Sequence, residues 1–162
     1  MIAAIALIGL ALRGGLPAGL AVDGAPLTAV SLGIVAGVGG FAVMWVLRVF
    51  RPMKELERWQ QRMVAGWSAT DAVVIALFSG LAEEALIRAL LQPIVGLVPA
   101  ALIFAALHIV PDRRLWLWPV LALVLGLGLG WVFELGGYPA AATAHIAINL
   151  LSLLRLRVAA AS

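Results

Sequence analysis

Six polar side chains lie inside stretches of the sequence that are otherwise apolar. They are Glu83, Glu84, Arg88, His108, His145 and Asn149. A charged side chain near the centre of a lipid bilayer costs roughly 2.5–3.5 kcal/mol on insertion scales. Several residues with such an insertion cost in one short chain indicate a function, so we interpret them as parts of one functional site.

The spacing of these residues predicts a hydrolytic site. Glu84 and Arg88 stand four residues apart, as do His145 and Asn149, so each pair projects from one face of its helix. Glu83 points about 100° away from Glu84, so the two carboxylates can have different roles. A carboxylate in an apolar cavity suits a general base near neutral pH. With two histidines and an amide, it supplies the groups needed to hydrolyse an acyl bond.

Each of these groups, taken alone, also has a simpler interpretation. Glu84 and Arg88 can form a purely structural buried ion pair. His108 can be a hydrogen-bonded core histidine, and Asn149 can hold two helices together. Glu83 is harder to explain in this way, because the nearby cation is better spaced for its neighbour.

The composition indicates that lipid is the solvent of these helices. Of 162 residues, 64% are hydrophobic and 12% are charged, with a mean hydropathy of +1.12. A soluble domain carries about 25% charged residues. At about 20 residues per crossing, the length allows at most six or seven spans and no separate soluble domain. Cysteine is absent, which excludes disulfides and thiolate metal sites.

The apolar segments predict an all-α, polytopic transmembrane bundle of about six spans. The segments cover residues 24–47, 72–91, 94–110, 115–133 and 139–154, with a weaker one over residues 1–22. Residues 48–66 instead have the pattern of a basic amphipathic helix lying in the interface, with Met53, Leu56, Trp59 and Met63 on its apolar face. We divide the chain into N-terminal spans with this helix, residues 1–66, and a catalytic core, residues 67–157.

Positive charge predicts the orientation of the bundle. Five basic residues lie between Arg48 and Arg62, followed two crossings later by Arg113 and Arg114 and after two more by Arg155 and Arg157. All three clusters therefore fall on one side, which the distribution of Lys and Arg in membrane proteins assigns to the cytoplasm. Both termini are expected on that side.

Three motifs resemble those of the CPBP family, the CAAX-protease and bacteriocin-processing (Abi-like) intramembrane peptidases related to type II CAAX prenyl endopeptidases. Residues 83–88 match its EExxxR motif, residues 104–108 its FxxxH motif and residues 145–149 its HxxxN motif. The three occur in order, each on a separate apolar segment, and the resemblance covers residues 69–154.

The resemblance implies a role for each of the six residues. Glu83 would activate the attacking water, and His108 would help to hold that water. His145 and Asn149 would stabilise the tetrahedral oxyanion. Glu84 and Arg88 would brace the site and engage the substrate. The resemblance does not fix a cofactor. Zinc is an open alternative, bound by Glu83, His108 and His145, although the sequence has no HExxH motif.

The depth of these residues in the membrane raises a geometric question. Glu83 lies about twelve residues, or roughly 18 Å, along its helix from the cytoplasmic end. His108 lies a few residues from the cytoplasmic loop at Pro111. The two side chains meet only if the helices tilt or if the segment around His108 stops short of the interface.

The sequence therefore predicts an intramembrane endopeptidase of a bacterial inner membrane. Its substrate would be a membrane-associated protein or peptide: a CAAX tail, a leader peptide or a C-terminal sorting tail. No nucleic-acid partner is expected, since the arginines separate apolar runs. Two alternatives use the same buried groups. One is a transporter or proton relay, and the other is a non-catalytic immunity or partner protein.

Overall fold

A computed structural model describes residue 9 and residues 26–161 of the chain. In these residues all regular structure is helical, as the composition predicts. The predicted segment over residues 1–22 lies, apart from Gly9, outside the described residues. The elements are α1 (Pro26–Leu47), α2 (Arg51–Val64), α3 (Ala69–Glu84), a π-helix (Ala85–Leu91), α4 (Gln92–Val95), α5 (Leu97–Ala106), a 3₁₀ turn (Arg113–Leu115) and α6 (Leu117–Ala161).

Two helical stretches in the described part of the chain are long and apolar enough to cross a membrane. They are Pro26–Leu47 and Arg113–Ala160. The predicted helix over residues 94–110 is shorter in the structure, because α5 has ten residues and reaches only about 15 Å. A hydrocarbon core of about 30 Å is too thick for it. The count of six crossings is therefore not confirmed.

The long helical stretch α6 folds back on itself at Gly137. This glycine has φ 68° and ψ −169°, outside the helical region. Leu129 and Ala144 belong to one buried cluster, and Leu125 packs against it. In a straight helix Leu129 and Ala144 would lie about 22 Å apart. We call the parts before and after Gly137 the first and second arms of α6. The break falls within residues 134–138, where the sequence predicts a separator between two segments.

The helical path that begins with α3 runs further than predicted. Ser68 and Asp71 form a capping box at its start: the Ser68 side chain accepts from the Asp71 N–H, and the Asp71 carboxylate accepts from the Ser68 N–H. The path passes through the π-helix and α4 without a break. The sequence predicts a boundary between the segments over residues 72–91 and 94–110, and this boundary is wrong, because the chain turns at Gly96 instead. The φ of Gly96 is 85°, a conformation that favours glycine.

The amphipathic helix α2 packs its apolar face against the rest of the bundle. Met53 and Leu56 are buried in a cluster with Leu115 and Leu121. Met63, predicted on the same face, is 55% exposed, and the neighbouring Val64 is buried instead. An ion pair between Glu57 and Arg155 also ties α2 to the second arm of α6. The rotation of α2 about its own axis is therefore fixed by protein contacts.

Candidate active site

The candidate site forms where α3 and the second arm of α6 run antiparallel. Ser79 contacts Asn149, and Glu83 contacts His145, so a step of four residues along one helix matches a step of four back along the other. Gly80 sits between these two pairs. A Cβ atom there would lie 2.5 Å from Cγ1 and 3.0 Å from the backbone nitrogen of Ile146. The absence of a side chain at Gly80 therefore allows the close approach that brings the polar rows together.

Glu84 is the centre of a buried polar triad. Its Oε2 accepts a hydrogen bond from Nε of Arg88 at 3.0 Å. Its Oε1 lies 2.7 Å from Nδ1 of His145, which belongs to the second arm. Glu84 and Arg88 are 0% exposed and His145 is 5% exposed. The predicted i,i+4 pair is present, and it reaches a third residue that the spacing alone does not connect.

Glu83 points in a different direction from its neighbour. Its side chain lines a cavity of about 260 Å³ instead of the core. One carboxylate oxygen lies 4.0 Å from Nε2 of His145. His145 therefore lies between the two carboxylates, with Nδ1 on Glu84 and Nε2 directed toward Glu83. The sequence-based expectation that the two glutamates occupy different environments is met.

His108 lies just after the end of α5 and faces the same cavity. Its Nδ1 is 2.8 Å from the carbonyl oxygen of Phe104. A carbonyl oxygen only accepts, so Nδ1 carries the proton and Nε2 is the free acceptor of a neutral ring. The ring packs on Phe104 with 4.6 Å between centroids, and Trp118 flanks it at 5.7 Å. These contacts fix both the orientation and the tautomer of His108.

Asn149 lines the cavity one helical turn beyond His145. Its Nδ2 donates to Oγ of Ser79 at 2.9 Å, and that hydroxyl donates to the carbonyl oxygen of Ala76 at 3.4 Å. The sequence analysis does not include Ser79 among the site residues. The sequence signal that Ser79 belongs to the site was its position four residues before Glu83, on the same face of α3.

Phe104 is a second residue whose part in the site the sequence does not define. It is buried, with 3% exposure, and its ring meets the rings of His108 and His145. The guanidinium carbon of Arg88 lies 5.4 Å from the centre of the same ring. Phe104 thus packs between the two histidines and covers the buried Glu84–Arg88 pair.

One cavity gathers four of the six predicted site residues. Glu83, His108, His145 and Asn149 line it together with Ser79, whereas Glu84 and Arg88 lie behind His145. The rest of the wall is mainly apolar, with Met44, Ile75, Leu121, Leu125 and Ile148 among its side chains. Helices α1, α2, α3, α5 and both arms of α6 therefore all contribute to its shape.

The short α5 affects the relative depth of Glu83 and His108. Because α5 ends at Ala106, the chain around His108 leaves the helical path early. The side chains of Glu83 and His108 line the same cavity although their positions along their helices differ. Glu83 and His108 therefore meet in one cavity, next to a helix that is shorter than its apolar segment.

The residues present do not form a metal site in the described part of the chain. There, no group of three or more His, Cys, Asp or Glu side chains converges as metal ligands do. The trio Glu83, His108 and His145 therefore does not have the geometry of a zinc site.

Comparison with known proteins identifies the family. A family model described as Type II CAAX prenyl endopeptidase Rce1-like matches residues 65–151, which include all six predicted site residues and Ser79. No curated protein matches the chain, and no solved structure does. The matched residues are more than half of the 162 in the sequence. The chain therefore belongs to the Rce1-like family of type II CAAX prenyl endopeptidases, which is a family of membrane-embedded proteases.

Proposed function

We propose that this protein is an intramembrane endopeptidase that hydrolyses a peptide bond in a membrane-associated protein or peptide. The observation that carries the proposal is the shared cavity, where the Glu83 carboxylate, two oriented histidines and an amide meet in a mainly apolar wall. A structural ion pair would need only Glu84 and Arg88. It would leave no reason for Glu83, His108, His145 and Asn149 to face one space.

In the proposed reaction Glu83 takes a proton from a water molecule in the cavity. The resulting hydroxide adds to the carbonyl carbon of the substrate and forms a tetrahedral intermediate. The carbon–nitrogen bond then breaks, and Glu83 returns the proton to the leaving amine. Glu83 suits this role because its oxygen makes no contact with Arg88 and lies 4.0 Å from the nearest nitrogen of His145. Nε2 of His108, free to accept, would orient the water.

Asn149 and His145 would stabilise the oxyanion. The Asn149 amide carries a second N–H besides the one donated to Ser79, and this second donor can face the substrate. His145 donates Nδ1–H to Glu84, so Nε2 donates to an oxyanion only when the ring is an imidazolium. The carboxylate of Glu84 would balance the charge of that imidazolium while Glu83 carries the proton taken from the water. Preorganised donors of this kind act strongly where water is excluded.

Glu84 and Arg88 would hold His145 in place without touching the substrate. Glu84 fixes one ring nitrogen, and Arg88 balances the charge of the buried carboxylate. This assignment narrows the role that the family resemblance implies, since neither side chain lines the cavity. We also propose a mechanism without a resident metal. The absence of a converging group of ligands in the described residues supports it.

The setting of the reaction is part of the proposal. We place the three basic clusters and both termini on the cytoplasmic side of a bacterial membrane, as the distribution of Lys and Arg favours, without a fixed number of crossings. The apolar cavity wall favours a substrate segment rich in apolar side chains. A CAAX tail, a leader peptide and a C-terminal sorting tail all meet that requirement.

Substrate capture tests the proposal. Protein termini are compared by mass spectrometry in membranes containing the wild type, Glu83→Gln or Glu55→Gln. Glu55 is an exposed carboxylate on α2, so its amide controls for loss of charge. We expect new termini in the wild type and the Glu55 variant that disappear with Glu83→Gln. Identical termini in all three membranes would overturn the peptidase.

The two alternative functions give different results with the same variants. A transporter or proton relay would lose proton-coupled flux in Glu83→Gln while the termini stay constant. A non-catalytic partner protein would keep its phenotype when His108, His145 or Asn149 is changed singly to alanine. Either pattern would replace the peptidase assignment.

A further inference from the structure

A strip of positive charge runs from the turn after α1 along the exposed side of α2. Its members are Arg48, Arg51, Lys54, Arg58 and Arg62, all exposed. The opposite side of the helix is buried through Met53 and Leu56. Because protein contacts occupy the apolar side, α2 cannot turn its charges inward, and they face the surroundings of the bundle.

Part of this strip forms a groove of about 450 Å³. The groove is lined by Arg48, Val49, Lys54, Glu57, Arg58 and Gln61. Its carboxylate, Glu57, is paired with Arg155. Arg48 is held with its guanidinium carbon 4.6 Å from the centre of the Trp45 ring, a contact that positions its charge without neutralising it. The groove is therefore cationic, and its cations are available to an anion.

An apolar groove adjoins the cationic one. It has a volume of about 280 Å³ and is lined by Ala42, Val43, Val46 and Leu47 at the end of α1. Val43 and Val46 are 56% and 59% exposed. Leu47 in the apolar groove is followed directly by Arg48 and Val49 in the cationic groove. The two grooves are therefore neighbours along the chain, the apolar one at the end of α1 and the cationic one at the turn into α2.

We propose that this double groove binds one anionic glycerophospholipid. The phosphodiester would lie among Arg48, Lys54 and Arg58, and an acyl chain would follow Val43 and Val46 along α1. Arginine pairs with phosphate oxygens through two parallel hydrogen bonds, which favours a phosphate group over an uncharged polar headgroup. A zwitterionic headgroup carries its own cation, which three basic side chains repel. The adjoining apolar surface distinguishes a lipid from a free phosphate.

Competition between lipids tests this site. The purified full chain in detergent is mixed with equal amounts of phosphatidylglycerol and phosphatidylcholine of the same acyl chains, and bound lipid is counted by native mass spectrometry. We expect phosphatidylglycerol to be retained in preference. Each removed cation near a membrane surface weakens anionic lipid binding by about fivefold, so Lys54→Gln and Arg58→Gln should each show a loss of that size.

Arg113→Gln is the matched control, since Arg113 is exposed but lies outside the groove. It should retain phosphatidylglycerol like the wild type. An equal loss in Arg113→Gln would mean general attraction to charge and would overturn the site. Equal retention of the two lipids would do the same. Displacement of the lipid by excess inorganic phosphate would overturn the acyl part, because only a simple anion site releases its ligand in this way.

A different observation supports a second inference, which rests on the proposed peptidase. The hydrogen bond from Nδ2 of Asn149 to Ser79 is the contact that orients the Asn149 amide, since the hydroxyl is itself anchored on the Ala76 carbonyl. We infer that Ser79 is a positioning residue that directs the second N–H of Asn149 toward the oxyanion. A serine in a helix without such a partner would form a hydrogen bond only to its own helix backbone.

A double-mutant cycle tests this role on a peptide that spans the mapped cleavage site. Removal of an oxyanion donor costs about 10²–10³ in kcat, so Asn149→Ala should fall in that range. Ser79→Ala should lower kcat by less, about tenfold, with KM unchanged, because the donor remains but is misdirected. Ser79→Thr keeps the hydroxyl and should restore the rate. Ser79→Ala combined with Asn149→Ala should be no slower than Asn149→Ala alone.

A spectroscopic measurement tests the contact between Ser79 and Asn149 without relying on catalysis. Asn149 is the single asparagine of the chain, so selective ¹⁵N-asparagine labelling gives one side-chain amide signal. Its two proton resonances should shift in Ser79→Ala and return in Ser79→Thr, with Ser31→Ala as an exposed-serine control. Unchanged amide resonances, or additive losses in the cycle, would overturn the role of Ser79 while leaving the peptidase intact. Unchanged protein termini in Glu83→Gln would overturn the peptidase alone.

Discussion

Nδ1 of His145 lies 2.7 Å from Oε1 of Glu84, and both residues are buried. The contact joins α3 to the second arm of α6 across 61 residues of sequence. It also gives the adjacent glutamates separate roles, because Glu84 is committed to His145 and Arg88 while Glu83 stays in the cavity. The function of His145 should therefore depend on a carboxylate that the substrate never reaches.

Glu84→Gln should cause a loss of both stability and rate. The amide keeps the size of the side chain but leaves the buried Arg88 charge uncompensated, a situation that costs about 3–5 kcal/mol in other proteins. The rate should fall by up to about 10⁴-fold, as when the carboxylate that orients a catalytic histidine becomes an amide. Chemical unfolding in detergent and cleavage kinetics measure the two effects.

The double variant Glu84→Gln/Arg88→Met separates these effects. It removes both charges, so most of the lost stability should return. Its rate should stay low, because His145 still lacks an anionic partner. If the double variant recovered both stability and activity, Glu84 would be a structural residue with no effect on His145.

His108 should be replaceable by glutamine better than by asparagine. The Nδ1–H of His108 is committed to the Phe104 carbonyl, which leaves Nε2 for the water in the cavity. The longer amide of glutamine reaches the position of Nε2, and the shorter amide of asparagine reaches that of Nδ1. We expect His108→Asn to lower kcat by about a hundredfold, the lower end of what general acid–base groups contribute, and His108→Gln to lower it less.

Steady-state kinetics of the two variants at equal protein stability decide this point. Equal losses in His108→Asn and His108→Gln would mean that the ring acts through its packing on Phe104 and Trp118. A smaller loss in His108→Asn would assign the water to Nδ1 and contradict the tautomer inferred from the Phe104 contact.

Local spacing explains how much of this site the sequence predicts. Glu84 and Arg88, and likewise His145 and Asn149, belong to single helices, where four residues make about one turn and fix their relative directions. The contact between Glu84 and His145 depends on how two helices pack, which no local pattern encodes. Ser79 was missed for the same reason. A serine in a helix ordinarily bonds its own backbone, so only the position of Asn149 reveals its second contact.

The extent of the helices shows a similar limit. The apolar run over residues 94–110 predicts a crossing, yet only Leu97–Ala106 is α-helical. Hydropathy indicates whether a segment is surrounded by lipid or by water, but not whether its backbone forms helical hydrogen bonds. The turn at Gly96 and the hydrogen bonds that close the chain after Ala106 decide the length. The Gly137 break was predicted within a few residues because glycines, a tyrosine and a glutamate interrupt the apolar pattern there.

Asp71 should give a small stabilisation that depends on pH. Hydrogen bonds from the Ser68 side chain and then the Ser68 backbone hold the pKa of this carboxyl below its ordinary value of 3.8. The stabilisation is therefore present above pH 3.8 and is lost as the pH falls through the lowered value of the folded state. Asp71→Asn should lower the melting temperature at neutral pH and have no effect below that range. A difference that persists in strong acid would show that the amide disturbs the cap by its shape.

Gly80→Ala should weaken the site by separating the two helices that form it. The added Cβ would lie 2.5 Å from Ile146 Cγ1 and 3.0 Å from the Ile146 backbone nitrogen, and a backbone atom cannot rotate away. Overpacking of this kind typically costs about 1–3 kcal/mol. The distance between Glu83 and His145 should increase, so the cleavage rate should fall more than the loss of folded protein explains.

Gly39→Ala is the control, because a Cβ at Gly39 meets nothing within 4 Å. Alanine there should stabilise its helix by up to about 1 kcal/mol and leave the rate unchanged. A Gly80→Ala protein with wild-type stability and kinetics would mean that the close approach of α3 to the second arm of α6 is not required for the reaction.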